Sequence, residues 1–117
     1  MSKASRNKGA RGEREFAELL REYGFKTARR AGFKQTAGGG EPDVECEELD
    51  YFHFEVKRVE RLNLWGAIEQ AKTDSGNRPD KIPVVVFRKN NSPWYAIVPA
   101  RDMLKAVRKA EDRKNAD

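Results

Sequence analysis

A chain of 117 residues has room for one domain around one modest core. Apolar residues make up 38% and charged residues 37%, values that suit a small protein with a very polar surface; two Trp, three Tyr and six Phe, gathered in short periodic runs, exclude disorder along the whole length. A net charge of +5 with a pI near 9.5 favours a polyanionic partner, and Cys46, the single cysteine, excludes an intrachain disulfide and a Cys-based zinc site.

The first eight residues are small, polar and basic and read as a flexible arm, followed by a domain over 9–110 and a frayed tail over 111–117. A helix is expected from Ala10 to Tyr23, because Phe16, Leu19, Leu20 and Tyr23 recur at spacings of three and four, and Gly24 suits its stop. Glu13 falls at the edge of the inward face, an odd place for a purely solvated acid. Phe25 to Ala31 reads as a short strand, and Gly38-Gly39-Gly40 as part of a loop that lacks the features of a phosphate-binding loop.

Two strands follow, Asp43 to Leu49 and Tyr51 to Val59, forming a hairpin about Glu48 to Asp50. Alternation puts Phe52, Phe54 and Val56 on one face of the second strand and His53, Glu55 and Lys57 on the other. A second helix is expected from Asn63 to Asp74, with Leu64, Ile68 and Ala71 inward and Trp65 alongside. Lys81 to Arg88 then carries an apolar run suited to a strand buried on both faces. Trp94 to Val98 makes another strand, and Pro99 opens a last helix with Met103, Leu104 and Val107 inward. The order αβββαββα describes an α/β domain with one central mixed five-stranded sheet flanked by helices. With no hydrophobic leader and no stretch of membrane-spanning length, the chain reads as cytoplasmic, with no membrane partner.

The hairpin carries the chemistry. Asp43 can lie near Glu55 across it, and two carboxylates brought together repel unless a cation sits between them. Oxygen ligands of this kind select a hard divalent ion, magnesium or manganese, suited to polarising a phosphodiester and acidifying a water. Lys57, about 7 Å from Glu55 along the strand, would add positive charge where negative charge builds up. His53 reads as a cross-strand partner rather than a ligand, and Trp65 and Trp94 as core or dimer contacts rather than base-stacking platforms. Two stretches supply phosphate-binding cations: Lys8, Arg11 and Arg14 near the start, and Arg29, Arg30 and Lys34 in a segment free of acids.

Pro42-Asp43 followed by Glu55-Val56-Lys57 resembles the PD-(D/E)XK nuclease signature, and Lys8-Gly9-Ala10-Arg11-Gly12-Glu13-Arg14-Glu15-Phe16 resembles the first helix of archaeal-type Holliday junction resolvases. Tyr23-Gly24-Phe25 and Arg29-Arg30-Ala31-Gly32 extend the likeness, which covers Lys8 to Val59 and, more loosely, the rest. The resemblance implies a restriction-endonuclease-like fold and a homodimeric, magnesium-dependent endonuclease that nicks branched DNA, the four-way junction, in a paired fashion. It implies that Asp43 and Glu55 hold the metal with Glu13 and the Val56 carbonyl, that Lys57 positions water or stabilises the transition state, and that Arg14, Arg29 and Arg58 touch DNA. Gln70 would take an auxiliary polar role toward DNA. Phe33 stands near a place where these resolvases often carry a serine, and the three glycines lengthen the preceding loop. Two other functions fit the same residues: a nuclease acting on duplex or damaged DNA, and a non-catalytic basic DNA-binding module.

Overall fold

The computed structural model describes residues 3–31, 42–76 and 78–116, with side chains from Lys8 onward. Its elements are α1 (Lys3–Glu22), β1 (Arg29–Arg30), β2 (Val44–Glu45), β3 (Phe52–Arg58), α2 (Leu64–Asp74), β4 (Ile82–Arg88), β5 (Tyr95–Ile97) and α3 (Ala100–Asn115). The order is the αβββαββα expected, and the five strands form one sheet in sequence order. Only β3 and β4 are parallel, joined through α2 as a parallel connection requires. The other three pairings are antiparallel, so the sheet is mixed.

Side-chain alternation sorts the sheet into two faces. Phe54, Val56, Val84 and Val86 turn toward α1 and join Phe16, Ala17, Ala28, Val44 and Cys46 in the main core. Phe16 carries that contact, its ring 5.1 Å from Phe54 and 5.5 Å from Trp94, which makes Trp94 a core residue. Val85 turns the other way and meets Ala67 and Ala71 of α2. β4 is thus covered on both sides, as its apolar run predicts. Among the described residues no helix is long and apolar enough to cross a membrane.

α1 ends as Gly24 predicts. The glycine takes φ +93°, Phe25 N–H reaches back to the Leu20 carbonyl at 3.0 Å and Gly24 N–H to that of Arg21 at 3.0 Å, which satisfies two otherwise orphaned carbonyls. A half-buried network fastens the same helix to the sheet. The Glu15 carboxylate accepts from Arg58 Nε at 3.3 Å and Arg88 Nη1 at 3.2 Å, and the Arg88 guanidinium lies over the Trp94 ring at 5.9 Å.

Several expectations are corrected. α1 begins at Lys3 rather than Ala10, with no proline in its path. The tail is helical through Asn115, and Tyr23 is 77% exposed rather than inward. The strand expected over Phe25 to Ala31 shrinks to two residues, and the one expected over Asp43 to Leu49 stops after Glu45. Glu48 explains the second: its carboxylate gathers the N–H groups of Lys26 and Thr27 and the Thr27 hydroxyl, bending the chain into a 3-10 turn at Glu47–Leu49. In α2 it is Ala67, not Leu64, that is buried beside Ala71, and Trp65 is exposed. Met103, Leu104 and Val107, expected inward, all face solvent on α3. Phe33, Lys34 and Gly38 to Gly40 lie outside the described residues.

Two helical glycines separate packing from propensity. A Cβ on Gly12 would stand 2.6 Å from the Arg58 Cβ, whereas one on Gly9 meets nothing within 4 Å. Alanine gains about 1 kcal/mol of helix propensity at either position, but overpacking costs about 1–3 kcal/mol where the strand cannot give way. Gly9→Ala is therefore expected to raise, and Gly12→Ala to lower, unfolding free energy in urea titrations.

Candidate active site

The site forms where α1, the start of β2 and the middle of β3 meet, with α2 covering the other side. Gly12 lets α1 approach β3 closely, and that approach carries Glu13 to the sheet edge. Glu13 is partly buried, its carboxylate 3.3 Å from Arg30 Nε. The residue immediately before β2, Asp43, has its backbone N–H on the Phe54 carbonyl at 2.9 Å, while its side-chain Oδ2 accepts from Val56 N–H at 2.8 Å. The Val56 N–H thus points toward β2, and the carbonyl of the same strand residue leaves the backbone on that side too. The expected carbonyl ligand accordingly shares an edge with Asp43.

Glu55 is the largest fully buried side chain, 2% exposed. Its Oε1 lies 3.5 Å from Lys57 Nζ, and its Oε2 is buried and meets no N–H or O–H donor among the described residues. Lys57 Nζ in turn donates to Gln70 Oε1 at 2.8 Å, so Gln70 holds the ammonium over Glu55. The strand alternation read from the sequence is correct: His53, Glu55 and Lys57 share the α2 side of β3, and all three have their charged or polar ends within the site region.

The electrostatics bind the three acids into one cluster. Burial, and next the neighbouring Asp43 charge, push Glu55 up to about 8, against the opposing pull of Lys57 and with a further push from Asp74. Burial also raises Asp43, offset in part by the Val56 N–H and by Lys57, and the two carboxyls can share one proton when one is neutral. Glu13 is raised by burial and then by Asp43, while Arg30 holds it down. Each acid therefore senses the next, and Arg30 and Lys57 offset the mutual repulsion only in part. Neighbouring carboxylates and an adjacent backbone carbonyl are donors that suit a hard divalent ion, although among the described residues the group with ligand atoms all within 4.8 Å is His53, Glu55 and Asp74 rather than Glu13, Asp43 and Glu55.

Other expected contacts fall into two groups. Arg11, Arg14 and Arg29 are exposed, though Arg29 Nε is 2.7 Å from Glu45, and Lys8 is half-exposed. Arg30 is partly turned inward to Glu13. Arg58 is engaged with Glu15 and Asn90, its side chain 11% exposed, because strand alternation turns it under α1. Asp74 joins the site from outside the expected set. It lies at the end of α2, one turn beyond Gln70, and with His53 and Glu55 it places one ligand atom each within 4.8 Å of the others. The spacing of four between Gln70 and Asp74 was the available signal, since it sets both on one helix face.

The raised Glu55 gives a pH signature with a definite sign. The folded chain holds a proton on Glu55 that the unfolded chain releases above about 4.5, so stability without divalent ions falls as pH rises from about 4.5 to about 8. Glu55→Gln is expected to remove that slope and to stabilise the metal-free protein at pH 8 by on the order of 2 kcal/mol in urea unfolding. Millimolar magnesium is expected to stabilise the wild-type chain at pH 8 and to leave the variant unmoved.

No curated protein matches the chain. A family model does, that of the phage putative PDDEXK endonucleases, and it matches residues 4–116. The matched span takes in every strand of the sheet and the whole acidic cluster. PDDEXK nucleases in general use divalent metals, in keeping with the donor set built here. A mixed five-stranded sheet, an acidic cluster at the edge of its third strand and a family model spanning nearly the whole chain lead to one assignment: the chain belongs to the PDDEXK endonuclease family.

Proposed function

We propose that the chain is a structure-selective DNA endonuclease that resolves four-way junctions by paired, magnesium-dependent nicks, acting as a homodimer in the cytoplasm in DNA recombination and repair. The observation that carries the proposal is Asp43 fixed against β3 by Val56 N–H, next to a buried Glu55 whose Oε1 lies 3.5 Å from the Lys57 ammonium, with Arg11 and Arg14 exposed on α1. Asp43, Glu55 and the Val56 carbonyl would hold the ion, with Glu13 completing its surroundings. When bound, it supplies a Lewis acid for the scissile phosphate and acidifies a water. Lys57, fixed by Gln70, puts positive charge where the attacked phosphate gathers negative charge, and burial of Glu55 keeps bulk water from screening it. Exposed arginines on α1 take the DNA backbone. The likeness of the α1 segment to junction resolvases favours a junction over plain duplex, and a twofold dimer sets two equivalent sites on a twofold substrate.

For the dimer, α3 offers Met103, Leu104 and Val107 on its exposed side. Burying that stripe against the same stripe of a second copy would remove all three apolar side chains from water.

Three outcomes test the proposal. Asp43→Asn and Glu55→Gln should each slow cleavage at least about 100-fold in magnesium while junction binding, read by gel shift, is kept or tightened. Wild-type protein should cut a four-way junction in preference to linear duplex at one fixed salt concentration. Equal cutting would instead favour a nuclease acting on duplex or damaged DNA, and binding without cutting a non-catalytic module. Leu104→Glu with Val107→Glu should convert a dimer to a monomer in sedimentation experiments, and a wild-type monomer would overturn the dimer.

A further inference from the structure

We propose that His53, Glu55 and Asp74 form a second cation site, one that takes a first-row transition-metal ion through an imidazole nitrogen and shares Glu55 with the Asp43 pair. The proposal does not depend on which DNA the chain acts upon. It starts from strand and helix periodicity: His53 and Glu55 are two apart on β3 and share its α2 side, and Asp74 is four beyond Gln70 on the helix covering that side. One ligand atom from each of the three already lies within 4.8 Å of the others. Three ligands about 2.1 Å from one ion in tetrahedral geometry lie about 3.4 Å apart, so the three need close in by at most roughly 1.4 Å.

Two further features point to an ion. Glu55, 2% exposed, sends its carboxylate into this cluster with Oε2 lacking any N–H or O–H donor among the described residues. A buried carboxylate oxygen without a donor costs free energy that a cation would recover. The cluster is also open to an ion, because His53 and Asp74 both line a cavity of about 790 Å³ whose wall carries Glu45, Glu47 and Asp50 alongside Arg29, Arg78 and Lys81. A carboxylate has two oxygens, so Glu55 can face the Asp43 pair with one and His53 and Asp74 with the other, bridging two ions as in two-metal phosphodiester sites. The imidazole sets the preference. The all-oxygen Asp43 side suits magnesium, whereas a nitrogen with two carboxylates suits manganese, cobalt or zinc.

Manganese is the probe, since its electron spin reports nitrogen ligands. Pulsed EPR of the full chain with Mn²⁺ and no DNA should show ¹⁴N modulation from one coordinated imidazole. Asp74→Asn should weaken that nitrogen-ligated ion at least tenfold in Mn²⁺ titration, His53→Gln should abolish the modulation, and Asp43→Asn should keep it. Because buried His53 can be needed for folding, Asp74→Asn, at a half-buried position, carries the test alone if His53→Gln does not fold. Absence of ¹⁴N modulation at saturating Mn²⁺ in the wild type, or unchanged affinity in Asp74→Asn, would overturn the second site. Magnesium-dependent cleavage without a nitrogen-ligated ion would sink this inference and spare the nuclease; a nitrogen-ligated ion in a chain that cuts no DNA would do the reverse.

Discussion

The structure is organised around mutual repulsion between acids in a place where water cannot relieve it. Asp43 and Glu55 are brought together by strand pairing, and burial prevents their charges from being screened. Such an arrangement costs stability in the metal-free chain. It survives because the surrounding framework holds it: Val56 N–H fixes Asp43, Gln70 fixes Lys57, and α1 is clamped to the sheet through Glu15, Arg58 and Arg88. Local discomfort at a site, supported by satisfied interactions around it, is what preorganisation of a binding site looks like in energetic terms.

Much of this was legible in the sequence because it rests on period. The alternation along β3 separates Phe52, Phe54 and Val56 from His53, Glu55 and Lys57, and the apolar run of β4 marks a strand covered on both sides. Gly24 announces the end of α1 through its backbone freedom. What period does not carry is which contacts win in three dimensions. Nothing local says that Glu48 will capture Lys26 and Thr27 and cut β2 short, since those partners are more than twenty residues away. Arg58 illustrates the same limit: as a basic residue after the signature it reads as a DNA contact, but the alternation that sends Lys57 to one side sends Arg58 under α1. Asp74 went unread because it sits at a helix end, where an acid usually has no tertiary partner.

α3 shows where amphipathic spacing misleads. Met103, Leu104 and Val107 lie at helical spacing and read as inward, yet they are exposed, and α1 and α2 already cover the two faces of the sheet. An apolar stripe states that a helix has something to bury, not that the same chain provides it.

The antiparallel run of α2 across β3 has a geometric consequence of its own. Lys57 faces Gln70, and His53 and Glu55 face Asp74, like two rungs between rails of unequal pitch. Two strand residues advance about 6.8 Å and four helical residues about 6 Å, so the rails stay in step for these rungs and drift apart beyond them. A single residue inserted between Gln70 and Asp74 would therefore swing the lower rung about 100° around the helix axis and dismantle it.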